Sequence, residues 1–543
     1  MKTKQRTFIS GAVVLGIAGL IVKIIGAVFR IPLASLIDKE GMAYYETVYP
    51  YYSTLLVISS AGLPTAISKM VSERVALNDF KGAKKVFRCA LMVLTVIGIA
   101  TMLLMLFGAQ TFSSLAVASG DVSDVQKQSM SFIAMAPSLL FVSLMCAYRG
   151  YLQGMQMMEG TAVSQVTEQV IKLIVGYSLA YYLLPKGYEY AAMGAILGVT
   201  VSELVALIVI WLFYMANKKK FKPEIGVRTV TERSSNKSIL KRLAAIAIPV
   251  TIGASIMPIT GIVDSIVIRR ILVDIGYVYE QANEMFSIFR GNVMPIINMP
   301  AVLTVALAVS LVPAISAKMA ERDKRGVRHA SRTGIKLALI MGAPCAVGLF
   351  VLAQPIISML YPKLTAADLV IADSLMKISA IGVLFLSLVQ TTTGVIQGLG
   401  KPVVPVAYLA IGGAVKIVSI IVLMYIPGLN ILGAALSSVL CYCVAGILDT
   451  IYVYKKTGIK VHIWHTFLKP IVSAIIMGVI VWLTYGALTS LGMGTSATLI
   501  SVGVGGLVYV GLAVFLRMFD KNDMEFIPGL AKIQNMLVRK KNK

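Results

Sequence analysis

The stretch Ser60-Ala-Gly-Leu-Pro-Thr-Ala-Ile-Ser-Lys-Met-Val-Ser-Glu-Arg74 has a second version later in the chain, Ala308-Val-Ser-Leu-Val-Pro-Ala-Ile-Ser-Ala-Lys-Met-Ala-Glu-Arg322. Leu63, Ala66-Ile67-Ser68 and Glu73-Arg74 match Leu311, Ala314-Ile315-Ser316 and Glu321-Arg322 at a constant separation of 248 residues. A second pair follows in the same order. Gly150-Tyr-Leu-Gln153-Gly154 corresponds to Gly394-Val-Ile-Gln397-Gly398, 244 residues on, and the same separation carries Lys172 onto Lys416. Apolar matches alone arise by chance in hydrophobic chains. Polar residues matching in register at two places in one order point to an internal repeat.

Both copies are embedded in apolar runs. The chain has 543 residues, 57% hydrophobic and 14% charged, where a soluble protein carries roughly a quarter charged residues. A helix needs about 20 mostly apolar residues to cross a bilayer. By that measure the first half holds six spans, at 9–37, 43–66, 86–108, 129–153, 161–184 and 189–215. The second half holds six more, at 243–272, 285–313, 334–354, 374–398, 403–425 and 431–454, and two further spans follow at 467–486 and 497–517. The expected fold is an all-α integral membrane protein of about fourteen transmembrane helices, two parallel six-helix repeats plus two C-terminal helices. The domain reading is an N-lobe (1–215), a basic cytoplasmic linker (216–242), a C-lobe (243–456), two extra spans (457–517) and a cytoplasmic tail (518–543). An even number of spans per repeat gives both copies one orientation, as in transporters whose repeats are related by an axis along the membrane normal.

The charge of +25 comes from Lys+Arg 50 against Asp+Glu 25. In a soluble chain it would suggest nucleic acid. Here the basic residues cluster in alternate loops: six in 69–88, nine in 216–242 and seven in 316–336. That is the positive-inside pattern; it places both termini in the cytoplasm, makes the chain a multi-pass plasma-membrane protein and calls for no nucleic acid. Cys89, Cys146, Cys345, Cys441 and Cys443 form no metal-spaced cluster, and His329, His462 and His465 fall in loops. No metal, cofactor or catalytic residue is expected. An enzyme working on a membrane-bound sugar would need an acidic metal motif or a large external loop, and neither is present.

Ionisable side chains inside a span are costly and should face a cavity or a partner. Lys23, Arg30, Lys172 and Lys416 are the candidate substrate-binding cations. Glu168, Glu203 and Asp264 are candidates for ion coupling or for pairing, and Arg290 and Glu46 for the outer part of a cavity. Arginine can fork two hydrogen bonds onto a phosphate, whereas lysine offers a compact charge. Glu168 and Lys172, four residues apart on a helix, could instead neutralise each other. Arg269, Arg270 and Arg290 read as interfacial anchors. A set leaning cationic favours an anionic cargo over an organic cation. Pro32, Pro249, Pro258, Pro295 and Pro300 interrupt spans one, seven and eight, which suits helices that bend.

Gly26-Ala-Val-Phe-Arg-Ile-Pro-Leu-Ala-Ser-Leu-Ile-Asp38, with the two repeat segments, resembles the Gram-positive lipid II flippases, the MurJ-like and SpoVB-like polysaccharide transport proteins of the MOP exporter superfamily. The resemblance spans essentially the whole chain, the two extra C-terminal spans included. It implies the MOP exporter fold and movement of a lipid-linked, pyrophosphate-bearing peptidoglycan precursor, lipid II, from inner to outer leaflet by alternating access. It also implies a cationic cavity and a lateral groove for the lipid tail. The family's arginine in span one corresponds to Arg30. Its arginine in span eight falls near Pro295 here, with Arg290 the nearest, so that role is not transferred. The expected partners are a lipid-linked pyrophosphate saccharide and membrane lipids, with the monomer as functional unit. Sodium, protons or the membrane potential could each drive the cycle. The rival cargoes are another lipid-linked saccharide, or organic cations as in the related multidrug exporters.

Overall fold

The computed structural model describes residues 2–60, 62–117, 121–218, 235–459, 464–516 and 518; most of the basic linker, His462 and the C-terminal tail lie outside the described residues. In chain order the helices are α1 (Lys2–Ser60), α2 (Leu63–Ala76), α3 (Phe80–Phe107), α4 (Ala109–Ala116), α5 (Val122–Gly154) and α6 (Met158–Ile171). A π-helical turn, Lys172–Gly176, leads into α7 (Tyr177–Leu183) and α8 (Tyr188–Asn217). Then come α9 (Asn236–Asp274), α10 (Tyr279–Ser287), a second π turn (Ile288–Val293), α11 (Met294–Asn298), α12 (Ala301–Ala320), α13 (Lys324–Val351) and α14 (Ala353–Leu360). The last helices are α15 (Ala366–Gly398), α16 (Val403–Met424), α17 (Ile431–Thr457), α18 (Lys469–Ser490) and α19 (Gly494–Phe515). Helices dominate because a lipid-facing backbone can satisfy its polar groups only internally.

Among the described residues, twelve stretches are long and apolar enough to cross a membrane. They reconcile with fourteen spans through two local features. Spans one and two share the stretch Ile24–Ala76, divided where Asp38 adopts φ 56°. Span five is broken at its middle by the π turn Lys172–Gly176, so neither α6 nor α7 qualifies alone.

The chain packs as two compact units, Met1–Ser287 and Ile288–Lys543. The core of the first gathers Leu63, Ile67 and Val71 of α2, Phe87 and Leu94 of α3, Met145 and Tyr151 of α5, Ile210 of α8 and Leu243 of α9. Helix α9, which opens the second sequence repeat, thus belongs to the first unit. There an added Cβ on Gly62 would lie 2.2 Å from the Ala247 carbonyl oxygen, Arg242 pairs with Glu73 at 2.8 Å, and Arg269 donates to the Thr47 hydroxyl at 2.7 Å. The second unit is built on Leu311 and Ile315 of α12, Leu337 and Leu339 of α13, Val395 of α15, Val453 of α17, Met477 of α18 and Tyr509 of α19.

Within each unit the repeat reappears as geometry, and it corrects the register read from sequence. Asp79 caps α3 by accepting the Gly82 N–H (2.8 Å), and Asp323 caps α13 by accepting the Gly326 N–H (2.9 Å). Arg74 pairs with Asp79, and Lys318 with Asp323; Asn78 and Arg322 take the same left-handed turn, φ 57° and 55°. A Cβ on Gly150 would meet the Pro64 carbonyl and one on Gly394 the Ala308 carbonyl; Gly154 and Gly398 relate in the same way to Ser68 and Val312. All these pairs are 244 residues apart. The 248-residue match of Ser60–Arg74 to Ala308–Arg322 is therefore out by four residues. Four residues is close to one helical turn, so the shifted comparison presents similar faces, and residues of like kind, the polar Ser68 and Glu73-Arg74 among them, coincide again.

Candidate functional site

The sharp turn at Asp38 folds the second limb of α1 back on the first, which brings Arg30 against Glu46 although 16 residues separate them. The two form an ion pair. Glu46 is sealed in the protein, with its side chain 1% exposed, while Arg30 remains 25% exposed. The second limb carries Tyr44-Tyr45-Glu46-Thr47-Val48-Tyr49-Pro50-Tyr51-Tyr52. Helical spacing brings Tyr45, Tyr49 and Tyr52 into succession, with ring centroids 5.8 Å and 5.9 Å apart.

Onto the same aromatic row comes Lys172, buried at the first residue of the π turn. Its ammonium lies 5.2 Å from the Phe29 ring centre and 5.6 Å from that of Tyr49, and the Arg30 guanidinium lies 5.5 Å from Tyr49. Each such contact with a ring face contributes about 0.5–2 kcal/mol to holding a cation. The i,i+4 carboxylate Glu168 is engaged elsewhere. Arg149 donates to it at 2.9 Å and to the Ser164 hydroxyl at 3.1 Å, and Gln169 donates to its other oxygen at 3.1 Å. Lys172 makes no ion pair among the described residues, so aromatic faces, rather than a carboxylate, hold its charge.

The π turn is shaped by glycine. A Cβ on Gly198 of α8 would stand 2.2 Å from the Gly176 Cα and 2.4 Å from its nitrogen, so α8 and the turn touch backbone to backbone. The repeat mate Lys416 is buried too, yet it sits in the unbroken helix α16 of the second unit.

The remaining predicted residues are spread out. Glu203 of α8 is buried in the first unit, and its Oε2 has no hydrogen-bond partner among the described residues. Asp264 is buried in α9. Arg290 is half-buried in the second unit's π turn, Ile288–Val293. Lys23 is in α1, and its side chain lies outside the described part of the structure.

Arg269 departs from its reading as an interfacial anchor. It is 1% exposed, stacks over Phe286 at 4.3 Å, donates to Thr47, and faces Tyr279. The position near a span end suggested snorkelling, but the partners that bury it come from elsewhere in the chain. The aromatic row was also missed, although its i, i+4, i+7 spacing from Tyr45 was visible in the sequence. In the second unit, Asp449 is fully buried, and among the described residues its one side-chain hydrogen-bond contact is the Thr392 hydroxyl at 3.4 Å.

The family profile described as "polysaccharide biosynthesis protein" matches residues 8–319, and one named MatE matches residues 291–422. The chain belongs to the polysaccharide biosynthesis protein family. It is 26% identical to stage V sporulation protein B of Bacillus subtilis, over 97% of this chain and 99% of that protein. It is 25% identical to the lipid II flippase MurJ of the same organism, over 96% and 97%. The fold matches that of lipid II flippase MurJ in an inward closed conformation, with a TM-score of 0.68 at 18% identity, covering 93% of this chain and 99% of that one. This family member is a multi-pass membrane protein with the architecture of MOP-superfamily transporters.

Proposed function

We propose that this protein is a flippase that moves an undecaprenyl-pyrophosphate-linked peptidoglycan precursor, lipid II, from the inner to the outer leaflet. The observation that carries the reading is the pair Arg30 and Lys172 set against one ring, Tyr49, with Lys172 held by no carboxylate among the described residues. Two cations against one aromatic ring suit a pyrophosphate: the guanidinium forks onto phosphate oxygens while the ammonium supplies a second charge. Full-length similarity to the MurJ flippase supports the cargo class.

Flipping breaks no bond. The protein's task is to replace the hydration of the headgroup while the polyprenyl tail stays in lipid, and then to release it on the other side. In this reading both termini are cytoplasmic, and the monomer is the working unit.

The test is rescue of a strain depleted of its lipid II flippase, combined with translocation of fluorescent lipid II in proteoliposomes. Lys172→Ala should lower translocation at least tenfold, about 1.4 kcal/mol, and Lys172→Arg should restore part of it. Failure to rescue with well-inserted wild-type protein would refute lipid II as cargo. The MatE match over residues 291–422 supports organic cations as the second reading; efflux of a cationic dye that persists in Lys172→Ala would favour it.

A further inference from the structure

Glu203 is the one member of the charged cluster around Lys172 left with an unmet buried oxygen. The residue is 6% exposed, and Oε2 has no partner among the described residues. The titratable and charged groups facing it come from four of the elements packed on α8: Tyr52 from α1, Cys146 and Arg149 from α5, Glu168 from α6 and Lys172 from the π turn. Arg149 is committed to Glu168, and Lys172 to its two rings. Among the described residues, with every group ionised, Arg30, Arg149 and Lys172 balance Glu46, Glu168 and Glu203. A buried carboxylate oxygen that lacks a hydrogen bond is costly, and a proton removes that cost. The oxygens offered by Glu203 and Tyr52 are too few for the six or so that a hard metal ion gathers, and no group of three or more His, Cys, Asp or Glu side chains that could hold a metal occurs among the described residues.

We propose that Glu203 is a proton-binding site linked to anion binding at Lys172. Protonating Glu203 leaves the cluster with one net positive charge, and that charge is available to an anion beside Lys172. Deprotonation restores neutrality within the cluster, so the anion competes with Glu203 for the same cation. Proton and anion therefore bind cooperatively. Reciprocity requires the anion to raise the proton affinity of Glu203 by the factor by which the proton raises anion affinity, about 5- to 150-fold for typical couplings. The anion's identity rests on the flippase reading; the proton site does not.

The experiment uses full-length protein in lipid nanodiscs. Infrared difference spectra across a pH titration should show a carboxylic-acid C=O band that disappears on alkalinisation. That band should be missing from Glu203→Gln and kept in Glu168→Gln. If Glu203→Gln does not fold, Tyr52→Phe is the second variant, and it should move the midpoint of the same titration. Identical titrating bands in wild type and Glu203→Gln, or an unmoved midpoint in Tyr52→Phe, would overturn the proposal.

The linkage is then read with undecaprenyl pyrophosphate as the probe. Wild-type affinity should fall as pH rises through the titration, by up to about tenfold per pH unit for a single linked proton. Glu203→Gln should hold the tight, low-pH affinity at every pH. Binding that shows no pH dependence in wild type would overturn the linkage. A titrating Glu203 band with no probe binding at any pH would uphold the proton site and refute the cargo reading.

Discussion

Neutralising Arg30 should destabilise the protein far more than neutralising Glu46, although the two share one ion pair. Removing one member of a buried pair costs about 3–5 kcal/mol when the survivor stays buried and charged. Arg30→Gln leaves the Glu46 carboxylate in that position, with its side chain 1% exposed. Because the amide can still donate one hydrogen bond, about 2–3 kcal/mol is expected, at the low end of that range or just below it. Glu46→Gln leaves instead a guanidinium that is 25% exposed and still faces the Tyr49 ring at 5.5 Å. Its loss should be about 1 kcal/mol. In Arg30→Gln/Glu46→Gln two neutral amides can bond each other, so the double variant should regain most of the stability lost by Arg30→Gln. The assay is thermal unfolding in detergent for all four members of the cycle, with lipid II translocation measured in parallel. Translocation should stay lost in the double variant despite restored stability, which separates binding from folding. Equal losses in the two single variants, or a double variant that simply adds them, would refute the assignment of Glu46 as the buried partner.

Gly198→Ala should destabilise by about 1–3 kcal/mol, the usual cost of overpacking, because its Cβ would press on the Gly176 backbone at 2.2 Å. Gly503→Ala, whose Cβ would meet nothing within 4 Å, should leave the unfolding temperature unchanged or raise it. Equal shifts would show that α8 and the π turn are not in backbone contact. Asp79→Ala should cost more than Asp323→Ala by about 1–3 kcal/mol in the same assay: each removes an N-cap, but only the first takes an ion-pair acceptor from a buried side chain, Arg74. The side chain of Arg74 is 9% exposed, against 45% for Lys318. Matching losses would remove the distinction between the two caps.

The span pattern was legible because bilayer thickness sets a length that apolar runs must meet, and fourteen runs met it. The repeat was legible from Gln153-Gly154 and Lys172, whose partners lie at the structural separation of 244. It slipped by a turn at Ser60–Arg74, because a helix repeats its face nearly every four residues and identity alone cannot tell adjacent turns apart. The caps could have settled it. Asp79 and Gly82 recur as Asp323 and Gly326, and an N-cap has a fixed position relative to its helix. What the sequence could not carry was partnership. Glu168 stands one turn from Lys172 on a helical wheel, yet it bonds Arg149 across helices. Arg269 reads as a span-end anchor until Thr47 and Phe286 close around it. Such pairings depend on helix rotations, which periodicity leaves open.

The repeat is symmetric in backbone and asymmetric in chemistry. Gly194 packs on Leu179 as Gly433 packs on Leu423, so span five meets span six in the first unit as span eleven meets span twelve in the second. Extending that correspondence along the helices sets Glu203 against Tyr442, and Lys172 in its π turn against Lys416 in a continuous α-helix. A π turn inserts an extra residue into the helical ladder and often marks a functional site. Here it begins at a cation with no carboxylate partner among the described residues, and it sits against the glycine contact with the Glu203 helix. Symmetry alone would have predicted matched lysines in matched surroundings. The departures fall on the residues that hold or answer the free charge. Helix packing is therefore the part of the repeat held in common, and the proposed anion site with its proton-binding Glu203 falls where the first unit departs from that common plan.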